Sequence, residues 1–269
     1  MSPTTPVTVS SPPFDGVRDF DLVVHDGRTL VVATPDRDHR ACVWDPAADE
    51  WTQFRLDSPS PDDADYTEIY SMGAAVVDGR IVIGGGGDHQ GFALWDLETG
   101  KVRLDAEEGG VASAARADFG GRSLIVVGGS SHTDVQLWDP AVDDGDKERP
   151  DRPSPYDFHV EIGDLFAQSY AGSAIGAGML YGRPVVVATA HDGGVLVWDI
   201  DQQRPLVEFD DLGNGLFDFN ITNVDGCELV VASGGQNLML GDPETGRWSD
   251  PLTVPGGDVS CLDAGTVSG

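Results

Sequence analysis

Lysine is all but missing. Of 16 basic residues only Lys101 and Lys147 are lysines, against 46 aspartates and glutamates, and the formal net charge is -30. Such a field repels nucleic-acid phosphates and anionic lipid, so neither is an expected partner, whereas a basic protein would be drawn in. Cysteine is scarce too. Cys42, Cys227 and Cys261 are far apart and odd in number, with no CxxC pair, so neither a disulfide framework nor a zinc site is indicated. No apolar run approaches the length that crosses a bilayer. The opening MSPTTPVTVSSPPFDG has no basic start and no apolar core, so it does not read as a secretory leader. A reducing cytoplasm is the expected location, and the sequon Asn220-Ile221-Thr222 is then a chance match. Catalytic signatures are also missing. Glycines 84–87 lack the GxGxxG register, and GxSxG, HExxH and a phosphate-loop lysine are absent. With no nucleophile–base arrangement in view, a non-catalytic chain without a cofactor is expected.

What the chain does have is a repeated phrase, clearest in 182–199 (GRPVVVATAHDGGVLVWD). A glycine turn leads into a β-branched apolar run at 184–188, expected to be a strand buried on both faces. The turn His191-Asp192-Gly193-Gly194 accepts the positive φ of a tight hairpin, and 195–198 alternates as a half-buried strand does. Four relatives of this phrase occur. Together with its own Trp198-Asp199, the ends lie at Trp44-Asp45, Trp95-Asp96 and Trp138-Asp139, with Gly241-Asp242 as the fifth. Successive ends are 51, 43, 60 and 43 residues apart, yet the turn glycine precedes each by only 15 to 17. A constant internal frame with variable gaps marks one supersecondary module repeated with insertions between strands. Each Trp-Asp is followed by a turn and a further strand, such as 51–56 or 247–254. Four antiparallel strands per unit make a propeller blade, and no amphipathic helix is evident.

The fold expected is therefore all-β, a β-propeller of four-stranded antiparallel blades, five in number. The units lie near 15–57, 66–105, 111–163, 170–210 and 216–255. Residues 1–14 are a tail or closing strand, with 6–10 able to serve as an outer strand. Residues 258–267 (DVSCLDAGTV) read as a closing first strand, so that overlapping ends complete the ring.

The phrase "DGRPVVV…DGGVLVWDIDQQRPL" resembles the WD-repeat β-propeller family, in particular divergent bacterial members with a "GR" turn before the second strand. The resemblance covers about 15–255. It departs from the family in lacking the Gly-His pair ahead of the first strand, so the usual polar network is incomplete, although Thr34, Thr189 and Ser233 keep its hydroxyl member. The resemblance implies a scaffold that recognises another protein through the loop-rich face of the propeller.

Three groups of residues are candidates for a site. Tyr66, Ile69, Tyr70, Leu165, Phe166, Tyr170, Leu216 and Phe217, with Phe219, precede or enter first strands, where propeller loops converge. Aromatic and aliphatic anchors there suit a protein partner. Asp19, Asp21, Glu68 and Asp218, with Asn220, fall at the starts of first strands, which line the channel of a propeller. Carboxylates at a channel mouth suit a small ligand such as a carbohydrate, bound or hydrolysed. His39, His89, His132 and His191 share the turn between second and third strands, each with an aspartate close by. Turn residues on separate blades are too far apart for one metal, so no metal site is expected.

Overall fold

The computed structural model describes residues 11–35, 40–58, 69–87, 92–106, 111–119, 122–129, 134–141, 160–161, 174–189, 194–202, 204–210, 216–224, 226–255, 258–259 and 261–263. They form five small antiparallel sheets arranged as a five-bladed propeller, with no helix among them. Blade I holds β1 (Val17–His25), β2 (Arg28–Pro35), β3 (Arg40–Asp45) and β4 (Glu50–Arg55). Blade II holds β5 (Ser71–Val77), β6 (Arg80–Gly86), β7 (Phe92–Asp96) and β8 (Val102–Ala106). Blade III holds β9 (Val111–Phe119), β10 (Arg122–Gly129), β11 (Asp134–Trp138) and a two-residue β12 (Val160–Glu161). Blade IV holds β13 (Ile175–Leu180), β14 (Arg183–Thr189), β15 (Val195–Asp199) and β16 (Arg204–Phe209). Blade V holds β17 (Leu216–Val224), β18 (Cys227–Gly234), β19 (Asn237–Asp242), β20 (Arg247–Trp248) and β21 (Leu252–Thr253). The outer strand expected over 247–254 is broken in two, and both short pieces pair with β19.

Blades I, II and IV open with a two-residue hairpin. Asp26, Asp78 and Tyr181 have φ of 51°, 50° and 52°, and each is followed by a glycine that is also at positive φ. Two such residues in a row make the type I′ turn, whose twist matches that of the strands it joins. The residue after the glycine then does a second job. Arg28, Arg80, Arg122 and Arg183 reach the aspartate that ends the third strand, at 2.7 Å to Asp45, 3.2 Å to Asp96, 3.6 Å to Asp139 and 3.0 Å to Asp199. The other carboxylate oxygen caps the following turn, accepting from Ala47 N, Thr99 N, Ala141 N and Gln202 N. The Asp of each Trp-Asp pair thus joins the hairpin turn to the next turn of the same blade.

The core lies between blades. One apolar cluster joins blades I and II around Trp95, a second joins II and III around Ile125, and a third joins III and IV around Val126 and Val186. A fourth joins IV and V around Phe209 and Phe219. Because both faces of a blade are covered, β15 is almost wholly buried rather than half-buried as its sequence alternation suggested. Blade V departs from the others in its signature. A Cβ on Gly241 would lie 2.7 Å from both the Phe209 and Trp248 rings, so no larger residue fits where the other blades carry tryptophan. Trp248 from β20 fills that place instead, with its ring 4.5 Å from Phe209.

Between blades V and I the described residues show no apolar cluster. Residues 261–263 sit there. Leu262 N donates to Asp218 Oδ2 on β17 at 2.8 Å, and Asp263 Oδ2 accepts from Leu22 N on β1 at 2.8 Å. The C-terminal stretch therefore bridges the last blade to the first, although it forms no regular strand. The alternative closing element, 6–10, lies outside the described residues.

Candidate functional site

The first strands neighbour one another in the order β1, β5, β9, β13, β17 and surround the channel. The residue nine before the arginine position faces the next blade each time: Asp19, Ser71, Ser113, Ala174 and Asp218. Asp19 Oδ2 accepts from Met72 N at 2.7 Å and from the Ser71 hydroxyl at 2.8 Å. Ser71 Oγ in turn accepts from Ala114 N at 2.9 Å, and Ser113 Oγ from Ile175 N at 3.1 Å. Asp21 adds a second tie, accepting from Ala74 N at 2.6 Å. A backbone amide of one inner strand is thus satisfied by a short polar side chain of the previous one. At the IV-to-V seam Ala174 offers no acceptor, and the backbones approach so closely that a Cβ on Gly176 would lie 2.6 Å from Phe219 O.

The acids concentrate where the ring closes. Asp19, Asp21, Asp118, Asp218, Asn220 and Asp263, with Arg116, line a channel cavity of about 300 Å³. Arg116 comes from β9 and crosses to blade I, where its guanidinium donates to Leu22 O and lies 3.9 Å from Asp21; its Nε is 3.4 Å from Asp118. Asn220 Nδ2 donates to Asp263 Oδ1 at 2.7 Å. Burial pushes the Asp19 carboxyl up to about 7, against hydrogen bonds that lower it. Burial likewise raises Asp21, with Asp263 adding to it against Arg116. Burial raises Asp218, and the neighbouring Asp19 charge raises it further. The Arg116 guanidinium is held charged by Asp21, Asp118 and Asp263 despite its burial. Chemically this is a polar, proton-holding chamber with one fixed cation. No metal-ligating group of three occurs among the described residues.

Of the acids expected at the channel mouth, Asp19, Asp21 and Asp218 come together in this chamber, while Glu68 lies outside the described residues. Arg116, Asp118 and Asp263 were missed. Only Asp263 left a signal in the sequence: aligning 261–263 with 19–21 puts it at the Asp21 position. Among the apolar candidates, Ile69 is 2% exposed and belongs to the I–II core. Tyr70 is half-buried beneath the Arg18 guanidinium, 4.6 Å from its ring centre. Leu216 pairs with Gly234 at the start of β17, next to Phe217, and Phe219 is buried between blades IV and V. Tyr66, Leu165, Phe166 and Tyr170 lie outside the described residues, as do His39, His89, His132 and His191.

No protein-family model matches the chain. No curated protein matches it either. Solved structures do match. The crystal structure of the computationally designed Ika8 protein superposes with a TM-score of 0.52 at 16% identity, covering 93% of this chain. This chain spans 65% of the length of that one. At such identity the likeness establishes the fold alone.

Proposed function

We propose that the protein is a non-catalytic scaffold of the WD-repeat type that recognises another protein through the loop-rich face of its propeller. One observation carries this reading. Asp19, Asp21 and Asp263 accept backbone amides of a neighbouring inner strand and Asp218 accepts one from Leu262 in the closing stretch, so the acids of the channel serve to hold the blades in place. A ring fixed in that way is a stiff platform for binding loops. A net charge of -30 favours a basic partner and speeds its encounter. The three cysteines form no disulfide, which accords with work in a reducing cytoplasm. No helix among the described residues is long and apolar enough to cross a membrane.

Affinity capture from a native lysate, read by mass spectrometry at low and high salt, tests the proposal. One stoichiometric protein retained at both is the expected result. No retained protein, or a mixed set of basic proteins removed by salt, would overturn it. A second reading has its own support, the buried Asp19 carboxyl at about 7 in a chamber of about 300 Å³ that Arg116 also lines. It assigns the channel to a small hydroxylated ligand such as a carbohydrate, bound or hydrolysed. Loss of binding in a carbohydrate screen on Asp21→Asn and Asp218→Asn, with capture unaffected, would select this reading.

A further inference from the structure

Blade V lacks the arginine that every other blade uses. Val224 pairs with Cys227 as His25 pairs with Arg28, Val77 with Arg80, Phe119 with Arg122 and Leu180 with Arg183. Cys227 therefore stands at the arginine position, exposed and short. Asp242 still ends the third strand and caps its turn, accepting from Glu244 N at 2.9 Å and from the Thr245 hydroxyl at 2.8 Å. Arg247 lies opposite it across β19 and β20, yet no ion pair joins them among the described residues. Glu228 is next to Cys227, and its carboxylate accepts from Tyr181 N of blade IV.

The surroundings are those of a contact surface rather than of a simple loss. Tyr181 occupies a turn position at φ 52° where blades I and II carry aspartate, an unfavourable conformation for an aromatic residue. It is nonetheless 46% exposed, and Val224, paired with Cys227 on blade V, is 50% exposed. Burial raises the pKa of the Tyr181 phenol, and the charges of Glu244, Asp242 and Glu228 raise it further. Apolar and aromatic surface is thus framed by three carboxylates at a place where four sister blades already bind a guanidinium.

We propose that this open position on blade V receives an arginine side chain from a basic segment of the partner protein, with Asp242, Glu228 and Glu244 as its carboxylates and Tyr181 and Val224 as its apolar floor. The proposal rests on the scaffold reading and names the chemistry of its partner. Guanidinium suits the site better than ammonium, because it pairs with a carboxylate through two parallel hydrogen bonds and stacks on aromatic rings.

Cys227→Arg tests this, since it supplies from within the chain the group that the partner would bring. Binding of a fluorescein-labelled oligo-arginine peptide, with oligo-lysine beside it, is read by anisotropy at low salt. Leu252→Arg adds the same charge at the outer edge and serves as control. Wild type is expected to bind the arginine peptide about tenfold more tightly than Cys227→Arg does. Leu252→Arg should match wild type, and the exposed Glu244→Gln should weaken binding about threefold with no effect on folding. Equal affinity for wild type and Cys227→Arg, or an equal loss in Leu252→Arg, would overturn the proposal. If Cys227→Arg keeps its captured partner as wild type does, this site is wrong and the scaffold reading stands. If no partner is captured, yet the arginine peptide is lost only in Cys227→Arg, the site stands and the scaffold reading fails.

Discussion

Blades I to IV and blade V solve the same problem with different parts. In the first four, a tryptophan and an aspartate end the third strand, and an arginine from the hairpin turn locks the aspartate. Blade V has lost both the tryptophan and the arginine, but only one of them has been replaced. Trp248 donates its indole N–H to Asp210 O at 3.2 Å, just beyond the outer strand of blade IV. Trp95 does the same to Asp57 O at 2.9 Å, just beyond the outer strand of blade I. The aromatic wedge between blades has thus been kept from a different strand, whereas the ion pair has not. Burial of a large ring is worth several times an exposed ion pair, so the wedge is required and the lock is not.

The largest effects should follow from removing wedges. Trp95 is 1% exposed and fills the I–II core, so Trp95→Ala is expected to lose about 3–5 kcal/mol in chemical denaturation. Trp248→Ala should lose about 2–3 kcal/mol, because its ring is only half-buried. If Trp248→Ala costs nothing, the substitution of one tryptophan for another across strands is wrong.

Seams differ as much as blades do. Four are joined by apolar clusters, while the fifth depends on carboxylates gathered around residues 261–263. Burying them raises their proton affinity, and the sign of the pH effect follows. Asp19 goes from 3.8 unfolded to about 7 folded, so its protonated form favours the native state. That contribution is complete below 3.8 and is lost as pH rises through about 7. Asp21 and Asp218, also raised by burial, act in the same direction. The protein should therefore be more stable at pH 5 than at pH 8. The ceiling from Asp19 alone is about 4 kcal/mol, at about 1.4 kcal/mol for each tenfold change in proton affinity. Asp19→Asn should flatten the profile of melting temperature against pH. An equally steep profile in that variant would show that the closing seam is not its source.

How far the sequence reveals all this depends on what repeats. Within every unit the turn glycine and the Trp-Asp position keep an interval of 15 to 17 residues while the gaps between units vary, so the fold was readable from them. The arginine lock was readable too, since the arginine precedes the aspartate of Trp-Asp by 16 or 17 residues in four units, but it takes a structure to show the two ends meeting. Arg116 was not legible. It lies in an inner strand where blades II and IV have small residues, and its partner Leu22 is 94 residues away on the far side of the channel. Asp263 was half-legible, because its strand never forms and only register reveals its kinship with Asp21. The aromatic loops were chosen for composition, and composition alone cannot separate a residue like Ile69, which enters the core, from one that stays at the surface.

The smallest effects concern the locks themselves, and they should rank by the burial of the aspartate. Asp199 has a side chain 1% exposed, whereas Asp45 is 15% exposed and its partner Arg28 57%. Arg183→Ala leaves the Asp199 carboxylate with turn amides and no cation, and should cost about 1–3 kcal/mol. Arg28→Ala lets water take over from the guanidinium and should cost less than about 1 kcal/mol. Acid should erase the difference. Burial alone would raise Asp199, but the hydrogen bonds from Gln202 and Arg183 hold it below 3.8, so its contribution is present above that pH and lost as pH falls through the folded value. Melts of the two variants and wild type at pH 6 should fall in the order wild type, Arg28→Ala, Arg183→Ala, and converge near pH 3. If Arg183→Ala matches Arg28→Ala at pH 6, the locks contribute nothing through burial, and blade V gave up its arginine at no cost at all.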